Sequence, residues 1–524
     1  MDNFGNEAMQ NYPFATVPIL SNWKQLTLTE ISVEISPGFA SGKHNSTGLG
    51  IPHLRPMNVS RDGKIDLSII KSVSNISDVA LKSGDILFNN TNSAELVGKT
   101  AVISHHESGF AFSNHMTRVR LESGISPAFI ARQLHFLWMS GYMMHRCTNH
   151  VNQASISSQI LGKTIPILLP PSAEQTRIVE KLEELFSDLD SGVAELKAAQ
   201  KKLALYRQSL LKAAVEGALT ADWRKHNQLS ETGAQLLERI LAERRARWEA
   251  KQLAKFKEQG KNPPQDWQKK YPEPIQPNTT DLPELPEGWA WATIDQLSFV
   301  VRGASPRPAG DPRYFGGVIP WITVGSLTAD EDMYLVEVDQ FVTEAGKEAS
   351  RFIEPNTLLL TNSGATLGVP KITKIGGCIN DGSVAFLDIE EARKIYLYWY
   401  LSTQTKKLRA LNQGAAQPNL NTDIVRKICV PICSSDELEE INRVLEAAAH
   451  SIKEQAKAVN HSLKQSAAQR QNILRAAFSG QLVPQDPNDE PASVLLERIR
   501  AERLMRPEKK KAFKKKEKNE QNDA

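Results

Sequence analysis

From residue 174 onward, apolar residues recur every seven positions. Leu182, Leu189, Leu196, Leu203 and Leu210 mark the period. Ile178, Leu185, Ala199, Tyr206 and Ala213 fill companion positions, with Gly192 the one weak member. A seam repeating at seven residues wants a partner helix, because a lone helix leaves it in water. Later in the chain the seam returns as Leu445, Ile452, Val459, Ser466 and Ile473, with Ile441, Ala448 and Ala476 beside them. No insertion breaks the register within either copy. Two in-register copies predict that these helices pair with each other, and a head-to-tail repeat related by a pseudo-dyad places them antiparallel. At 1.5 Å per residue, about 40 residues make a rod of roughly 60 Å. A helical hairpin that merely packs, or a dimerisation zipper, carries the same pattern.

Outside the seams the pattern changes. Short apolar runs cut by Gly, Pro, Asn and Ser, such as GDILFNN and TLLLTNS, predict strands and loops over 20–125 and 288–390. A helix follows in each, at 128–146 and 394–411. An apolar strand at 163–171 or 427–433 then hands over to the long helix. The chain is a tandem duplication. Residues 207–220 read RQSLLKAAVEGALT and residues 470–483 read RQNILRAAFSGQLV. LLERI at 236–240 returns at 495–499, and Ala242-Glu243-Arg244 returns as Ala501-Glu502-Arg503. Upstream, Thr91-Asn92-Ser93 and Gly98 correspond to Thr361-Asn362-Ser363 and Gly368. Ile51-Pro52 corresponds to Ile319-Pro320, Gln153 to Gln417, and Trp23 to Trp289. The residues between these anchors differ, so each half is a divergent globular part followed by a well-preserved helical part. Between the halves, residues 221–285 start as a charged helix. They become a non-helical connector through Pro263, Pro264, Pro272, Pro274, Pro277 and Pro283, with Pro286 just beyond.

Composition narrows the class. At 524 residues the chain has room for about three to five domains. With 40% hydrophobic and 23% charged residues it is an ordinary globular chain. A net charge of +3 excludes a uniformly basic nucleic-acid coat but not local basic surfaces. MDNFGNEAMQ has neither the basic nor the apolar region of a signal peptide. No apolar run approaches the roughly 18 residues of a membrane span, so no membrane association is expected. Cys147, Cys378, Cys429 and Cys433 are too few for a disulfide scaffold, and a reduced, cytoplasmic setting is expected. The tail KKKAFKKKEKNEQ is low-complexity and expected to be disordered; a solvated tail and a weak polyanion contact are the alternatives.

The loops of the globular parts carry side chains suited to base edges and phosphates. In the first half these are Lys43, His44, Asn45, Arg55, Asn58, Arg61, Asn92, Ser93 and Lys99. In the second they are Arg302, Arg307, Arg313, Ser326, Asn362, Ser363 and Lys371. Arg or Lys reads guanine, Asn or Gln reads adenine, and others hold phosphates. Each alone is also an ordinary solvated residue; the duplicated collection is what points to DNA. Catalytic motifs are weak. Asn262-Pro263-Pro264 resembles an amino-methyltransferase tetrapeptide, but Gln265 stands where an aromatic must stack on a flipped base. Gly98-Lys99-Thr100 and Gly162-Lys163-Thr164 end like phosphate loops, yet Ser93 and Ser157 replace the required glycine. His145, Cys147 and His150 lack a fourth ligand for a metal, and no metal is expected.

These residues resemble a known family over roughly 20–505: the DNA-specificity subunit of type I restriction–modification systems. The resemblance rests on GIPHLRPMNV (50–59), PPSAEQTRIVEKL (170–182), GASPRPAGDPRYFGGVIPWITVGSL (303–327), GAAQPNL (414–420), and above all KAAVEGALT with its echo RAAFSGQL. The second strand-to-helix junction departs from the pattern, with Asp436-Glu437 where the first copy has Glu174-Gln175. The resemblance implies an α+β fold: two mixed α/β target-recognition domains joined by two long antiparallel coiled-coil helices, in an internal pseudo-twofold repeat. The expected parts are an N-terminal extension (1–19), target-recognition domain 1 (20–170) and a first spacer helix (171–220). A charged helix and Pro-rich connector (221–285), target-recognition domain 2 (286–433) and a second spacer helix (434–483) follow, with a conserved segment and basic tail (484–524) last. The resemblance further implies a non-catalytic subunit that reads a bipartite, asymmetric sequence in double-stranded DNA. Two modification subunits would carry S-adenosylmethionine and methylate adenine. Two restriction subunits would add Mg- and ATP-dependent translocation and cleavage. A stand-alone DNA-binding regulator or adapter is the alternative.

Overall fold

The structure is a computed structural model that describes residues 6–41, 44–74, 80–410 and 420–505. The chain divides into two compact units, and these are not the two sequence halves. One unit joins Met1–Lys197 to Asn460–Ala524; the other is Ala198–Val459. Each unit therefore takes its globular part from one repeat and its closing helical segment from the other.

In the first unit the strand Lys24–Thr27 pairs antiparallel with Pro166–Leu169, tying the two ends of the globular part together. A four-stranded antiparallel sheet runs in the order Ser32–Pro37, Met116–Leu121, Ile86–Asn89, Thr100–Val102. In a second sheet Ile51–Leu54 pairs antiparallel with Lys71–Val73 and parallel with Ala111–Phe112. Both faces of Ile86–Asn89 are buried, which is why GDILFNN reads as an unbroken apolar run. The helix Pro127–Met139 starts at Ser126, whose hydroxyl accepts from Phe129 N–H. Its Phe129, Leu134 and Phe136 join Leu26, Ile86 and Ile167 in the core. The segment before residue 20 is packed rather than peripheral: Tyr12 and Phe14 lie in the same core.

The second unit repeats the plan. Ala290–Thr293 pairs antiparallel with Cys429–Ile432. A five-stranded sheet contains Phe299–Arg302, Ser383–Leu387, Leu358–Thr361, Pro370–Thr373 and Tyr334–Leu335. The long strand Phe315–Ile322 pairs parallel with Gly377–Ile379. The helix Glu391–Ala410 covers the core through Tyr396, Leu397 and Leu401.

The two seams form helices of 44 residues each, Ser172–Val215 and Ser435–Phe478. Within the first unit Arg177 pairs with Asp489, while Phe186 and Asp190 meet Arg470. The start of one helix thus lies against the end of the other, so the pairing there is antiparallel. Within the second unit Leu211 and Ala214 share a core with Leu438, Ile441 and Leu445, again end against start. Of the seam residues, Leu182 and Leu445 are buried. Leu189, Leu196, Leu203, Leu210, Ile452, Val459 and Ile473 are half-buried. The expected companion row holds in part: Ile178 is buried and Leu185, Ala199 and Ala213 are half-buried, whereas Gly192 and Tyr206 are exposed. A second row, Phe186, Val193, Gln200, Arg207 and Ala214, also turns inward. The seven-residue period admits a companion four residues after each leucine as well as three, and both rows contribute. Gly192 is therefore no gap in the seam.

The glycine of the duplicated KAAVEGALT and RAAFSGQL motifs ends each long helix. Gly217 and Gly480 both take the left-handed conformation, at φ 71° and 73°. A Cβ on Gly480 would stand 2.3 Å from Leu20 Cδ1 and 3.5 Å from Trp23 Cζ2. One on Gly217 would stand 2.7 Å from Pro286 Cγ and 3.1 Å from Trp289 Cζ2. Each turn thus presses on the tryptophan that opens a globular part. The same tryptophans donate to buried carboxylates: Trp23 Nε1 to Glu174 at 3.0 Å and Trp289 Nε1 to Glu437 at 3.2 Å. This corrects the expected departure at the second junction. Glu437, not Asp436, is the counterpart of Glu174; it stands in the same register as the rest of the two helices, and the carboxylate is kept. The tail helices close both units alike. Arg503 donates to Thr29 O and Ser32 O, and Arg244 to Asp295 O and Ser298 O.

Gly480→Ala and Gly217→Ala place a side chain at positive φ in a crowded site, and each is expected to cost about 1–3 kcal/mol. Gly192→Ala fills open space on a helix and is expected to stabilise by about 0.5–1 kcal/mol. Urea unfolding of the three variants checks the contrast.

Candidate nucleic-acid interface

Each unit carries a polar cleft at the same place in its repeat, above the parallel strand pair. In the first unit the pair is His53-Leu54 against Ala111-Phe112; in the second it is Trp321-Ile322 against Cys378-Ile379. His53 and Trp321 therefore hold the same position, and both line their clefts. A glycine lets a neighbouring strand press against each pair. A Cβ on Gly38 would stand 2.1 Å from Phe112 O, and one on Gly303 2.0 Å from Asn380 O.

The first cleft, of about 720 Å³, gathers His44, Arg55, Asn92 and Ser93 from the residues singled out in the sequence. Asn114, His115, Asn152 and Gln153 join them. No carboxylate among the described residues lines it. His44 Nε2 lies 3.1 Å from His53 Nδ1. Burial, then the charges of His44 and Arg55, push His53 down to about 4, so its ring is neutral at neutral pH. Burial and the charges of Arg55 and Lys71 likewise lower His44. Arg55 has its Nε and Nη2 buried without an acceptor among the described residues.

The second cleft, of about 710 Å³, is different chemistry on the same frame. Phe315, Trp321 and Phe341 give it apolar walls, and Asp339 and Asp381 give it acceptors. Arg307 is paired with Asp381 at 3.3 Å, and Ser305 Oγ donates to the same carboxylate at 2.6 Å. Arg302 Nε donates to Asp381 O at the rim.

Several residues expected at the interface are placed elsewhere. Asn58 is buried; its amide donates to Asp66 O and Ile69 O, and its oxygen accepts from Arg55 N–H. It shapes the loop that presents Arg55 and does not face solvent. Lys99 is buried on Pro56 O and Val59 O, and burial with the Arg61 charge lowers its pKa. Lys371 is buried on Asp330, and Asn362 lies wholly inside with its amide unpaired among the described residues. These four are corrections: a buried polar group spends its hydrogen bonds on the protein's own carbonyls, or stays walled in by it, and reaches no external edge. Ser326 closes the turn at Thr323. Ser363 is half-buried beside Gly382. Arg61 pairs with Glu95, and Arg313 with Asp311, both on exposed surface outside the clefts. Asn45 donates to Leu49 O. Lys43, Gln417, most of GAAQPNL and the basic tail lie outside the described residues. Asn114, His115, Trp321, Asn380 and Asp381 were missed. The aligned segments AFSNH and GCIND carried the signal, since each places polar residues just after the parallel strand.

Among the described residues no helix is long and apolar enough to cross a membrane. Residues 10–198 and 286–461, more than half of the chain, match the family described as type I restriction modification DNA specificity domain. The chain is 33% identical over 242 residues to the type I restriction enzyme EcoKI specificity subunit of Escherichia coli K12, covering 44% of this chain and 51% of that protein. It is 30% identical over 169 residues to the MjaIX specificity subunit of Methanocaldococcus jannaschii, covering 32% and 39%. The matches thus span about half or less of these relatives' length. A solved chain from a study of complex assembly in the type I R-M system superposes with a TM-score of 0.63 at 16% identity, over 89% of this chain and all of that one. That likeness supports the fold.

Asn58→Ala removes three hydrogen bonds from a buried loop and is expected to destabilise by about 1–3 kcal/mol. Arg313→Ala on exposed surface should stay within about 0.5 kcal/mol. Denaturant midpoints of the two variants decide whether Asn58 acts inside the fold.

Proposed function

The chain belongs to the family of type I restriction–modification DNA specificity domains, and on that premise we propose that it reads a bipartite, asymmetric DNA sequence for a restriction–modification complex. The observation that carries this is the duplicated cleft. One strand frame is built twice, with donor-rich lining in one unit and acidic and aromatic lining in the other. A twofold frame with unlike linings suits a duplex target whose two halves differ. His44, Arg55, Asn92 and Ser93 read or hold one half; Arg302 and Arg307 serve the other, with Arg313 beside them on a phosphate.

The two long helices set the gap between the half-targets. Each is about 66 Å long at 1.5 Å per residue. A stiff pair fixes a spacing without touching the intervening bases. Modules about one helical turn apart, roughly 34 Å, meet successive major grooves on one face of the duplex. The chain itself supplies recognition in the cytoplasm. Two modification subunits bring S-adenosylmethionine and adenine methylation, and two restriction subunits bring Mg- and ATP-dependent cleavage.

Exchanging residues 20–165 for those of another family member is expected to change one half-target and leave the other intact, as read by sequencing methylated sites in a host given the full set of genes. A change in both halves defeats the division of labour. No methylation at all, with DNA binding retained, favours a stand-alone regulator. Adding one heptad to both long helices is expected to lengthen the untouched spacer by about three base pairs, since seven residues add about 10 Å and a base pair about 3.4 Å. The same sequencing reads that shift directly.

A further inference from the structure

Val151 is 99% exposed, the most exposed of the large apolar side chains among the described residues. It sits at the tip of a hairpin in which Thr148–Asn149 pairs with Ala154–Ser155. The tip is the two-residue loop Val151-Asn152, closed by His150 N–H donating to Gln153 O at 2.7 Å. Such tips are ordinarily built from Gly, Asn, Asp, Ser or Pro, each for a conformational reason that valine does not meet. Nothing in the turn calls for a β-branched apolar residue there, and the fold gains no burial from it.

The hairpin is firmly held below its tip. Ala154 and Ile156 are buried, and Ala154-Ser155 pairs with Thr91-Asn92. Ile156 N–H donates to Asn90 O at 2.9 Å. The other leg leaves from the buried pair Tyr142 and Met143. The ribbon therefore presents an exposed tip on a fixed base, at the rim of the first cleft, where Asn152 and Gln153 also line the wall.

Resting on the DNA-reading proposal above, we infer that hairpin 148–155 is the ribbon with which the first unit enters the major groove, and that Val151 seats on the methyl group of a thymine while Asn152 reads a neighbouring base. The major groove of B-DNA is about 12 Å wide and admits a two-stranded ribbon; the thymine methyl is displayed only there. An apolar side chain recognises it by contact, and an amide recognises adenine by paired donor and acceptor. An aliphatic tip flanked by amides matches that edge. A phosphate contact would call for Lys or Arg at the same place.

The test uses the full-length protein with its modification partner. Its target is first selected from a pool of random duplexes. Duplexes carrying that target are then made with each thymine replaced in turn by uracil, which removes only the methyl. The assembled protein is expected to lose about fourfold in affinity at one thymine of one half-target, the worth of one apolar carbon withdrawn from water. Val151→Ser is expected to bind the unmodified target correspondingly more weakly and to be indifferent to that one replacement. Asn152→Ala is expected to relax selection at an adjacent position about tenfold. The salt dependence of binding should be unchanged in both, since no phosphate contact is removed. If Val151→Ser responds to every uracil as the natural protein does, the inference is overturned. It is equally overturned if the variant keeps its DNA selectivity but fails to join the modification subunit, which would make the tip a protein contact. Failure of the natural protein to select any two-part target would defeat the underlying reading instead.

Discussion

A carboxylate with no access to water must be given its hydrogen bonds by the fold, and in each unit Glu174 or Glu437 obtains them from segments remote in sequence. Glu174 accepts from Trp23 and from Gln485; Glu437 accepts from Trp289 and Thr220, with Arg224 3.4 Å away. Removing one hydrogen-bond partner from such a buried group typically costs about 1–3 kcal/mol. Three pieces of chain thus become interdependent: the strand that opens the globular part, the start of its own long helix, and the tail that follows the other long helix. Burial raises the pKa of Glu174, and hydrogen bonds from Gln485 and Trp23, with the Arg177 charge, only partly offset it. The glycine turn is part of the same junction, since a side chain at Gly217 would crowd Trp289 and one at Gly480 would collide with Leu20 beside Trp23.

That junction explains where the repeats agree and where they do not. The tail, the turn and the helix start are fixed by mutual contact, so KAAVEGALT and RAAFSGQL survive with their spacing. The globular parts need only keep Trp23 or Trp289, the strand pairing beneath it, and the two-strand frame of the cleft. Their linings are free to diverge. His53 in one unit and Trp321 in the other occupy one position with unrelated chemistry. On the proposed reading, this freedom lets one architecture serve many targets.

Much of the fold was legible in the residues. Seven-residue periodicity gave both long helices, because the seam repeats at the helical period and nothing interrupts it. Alternating and continuous apolar runs gave the strand that hands over to each helix. The companion row was half of the answer, because the pattern admits two rows and the helix uses both: Ile178 is buried from the expected one, and Phe186, against Arg470, from the other. The exchange of tails between repeats left no trace in composition; it is a matter of which copy Trp23 and Trp289 meet. The cleft was half legible. Residue type picked out Arg55 and Asn92, but it equally picked out Asn58, Lys99, Asn362 and Lys371. Polarity in a loop does not say whether a side chain bonds outward or organises the loop from within.

The two clefts also differ in what an incoming acceptor would find. In the first, no carboxylate among the described residues lines the wall, and two guanidinium nitrogens of Arg55 are walled in without an acceptor among those residues. An incoming acceptor meets instead the donors that line the cleft, such as Asn92, Asn114 and Asn152. In the second, Arg307 is already paired with Asp381, and both are substantially exposed. An exposed pair is worth only about 0–1 kcal/mol, so it yields easily, but the acceptor that enters must displace Asp381 or be matched by a donor that Asp381 can hold. The first cleft therefore offers donors, with no carboxylate among the described residues for an acceptor to displace. The second demands an acceptor and a donor side by side. On the proposed reading, that is the difference on a DNA edge between the acceptor pair of guanine and the mixed pattern of adenine, and unlike linings on one frame suit an asymmetric target.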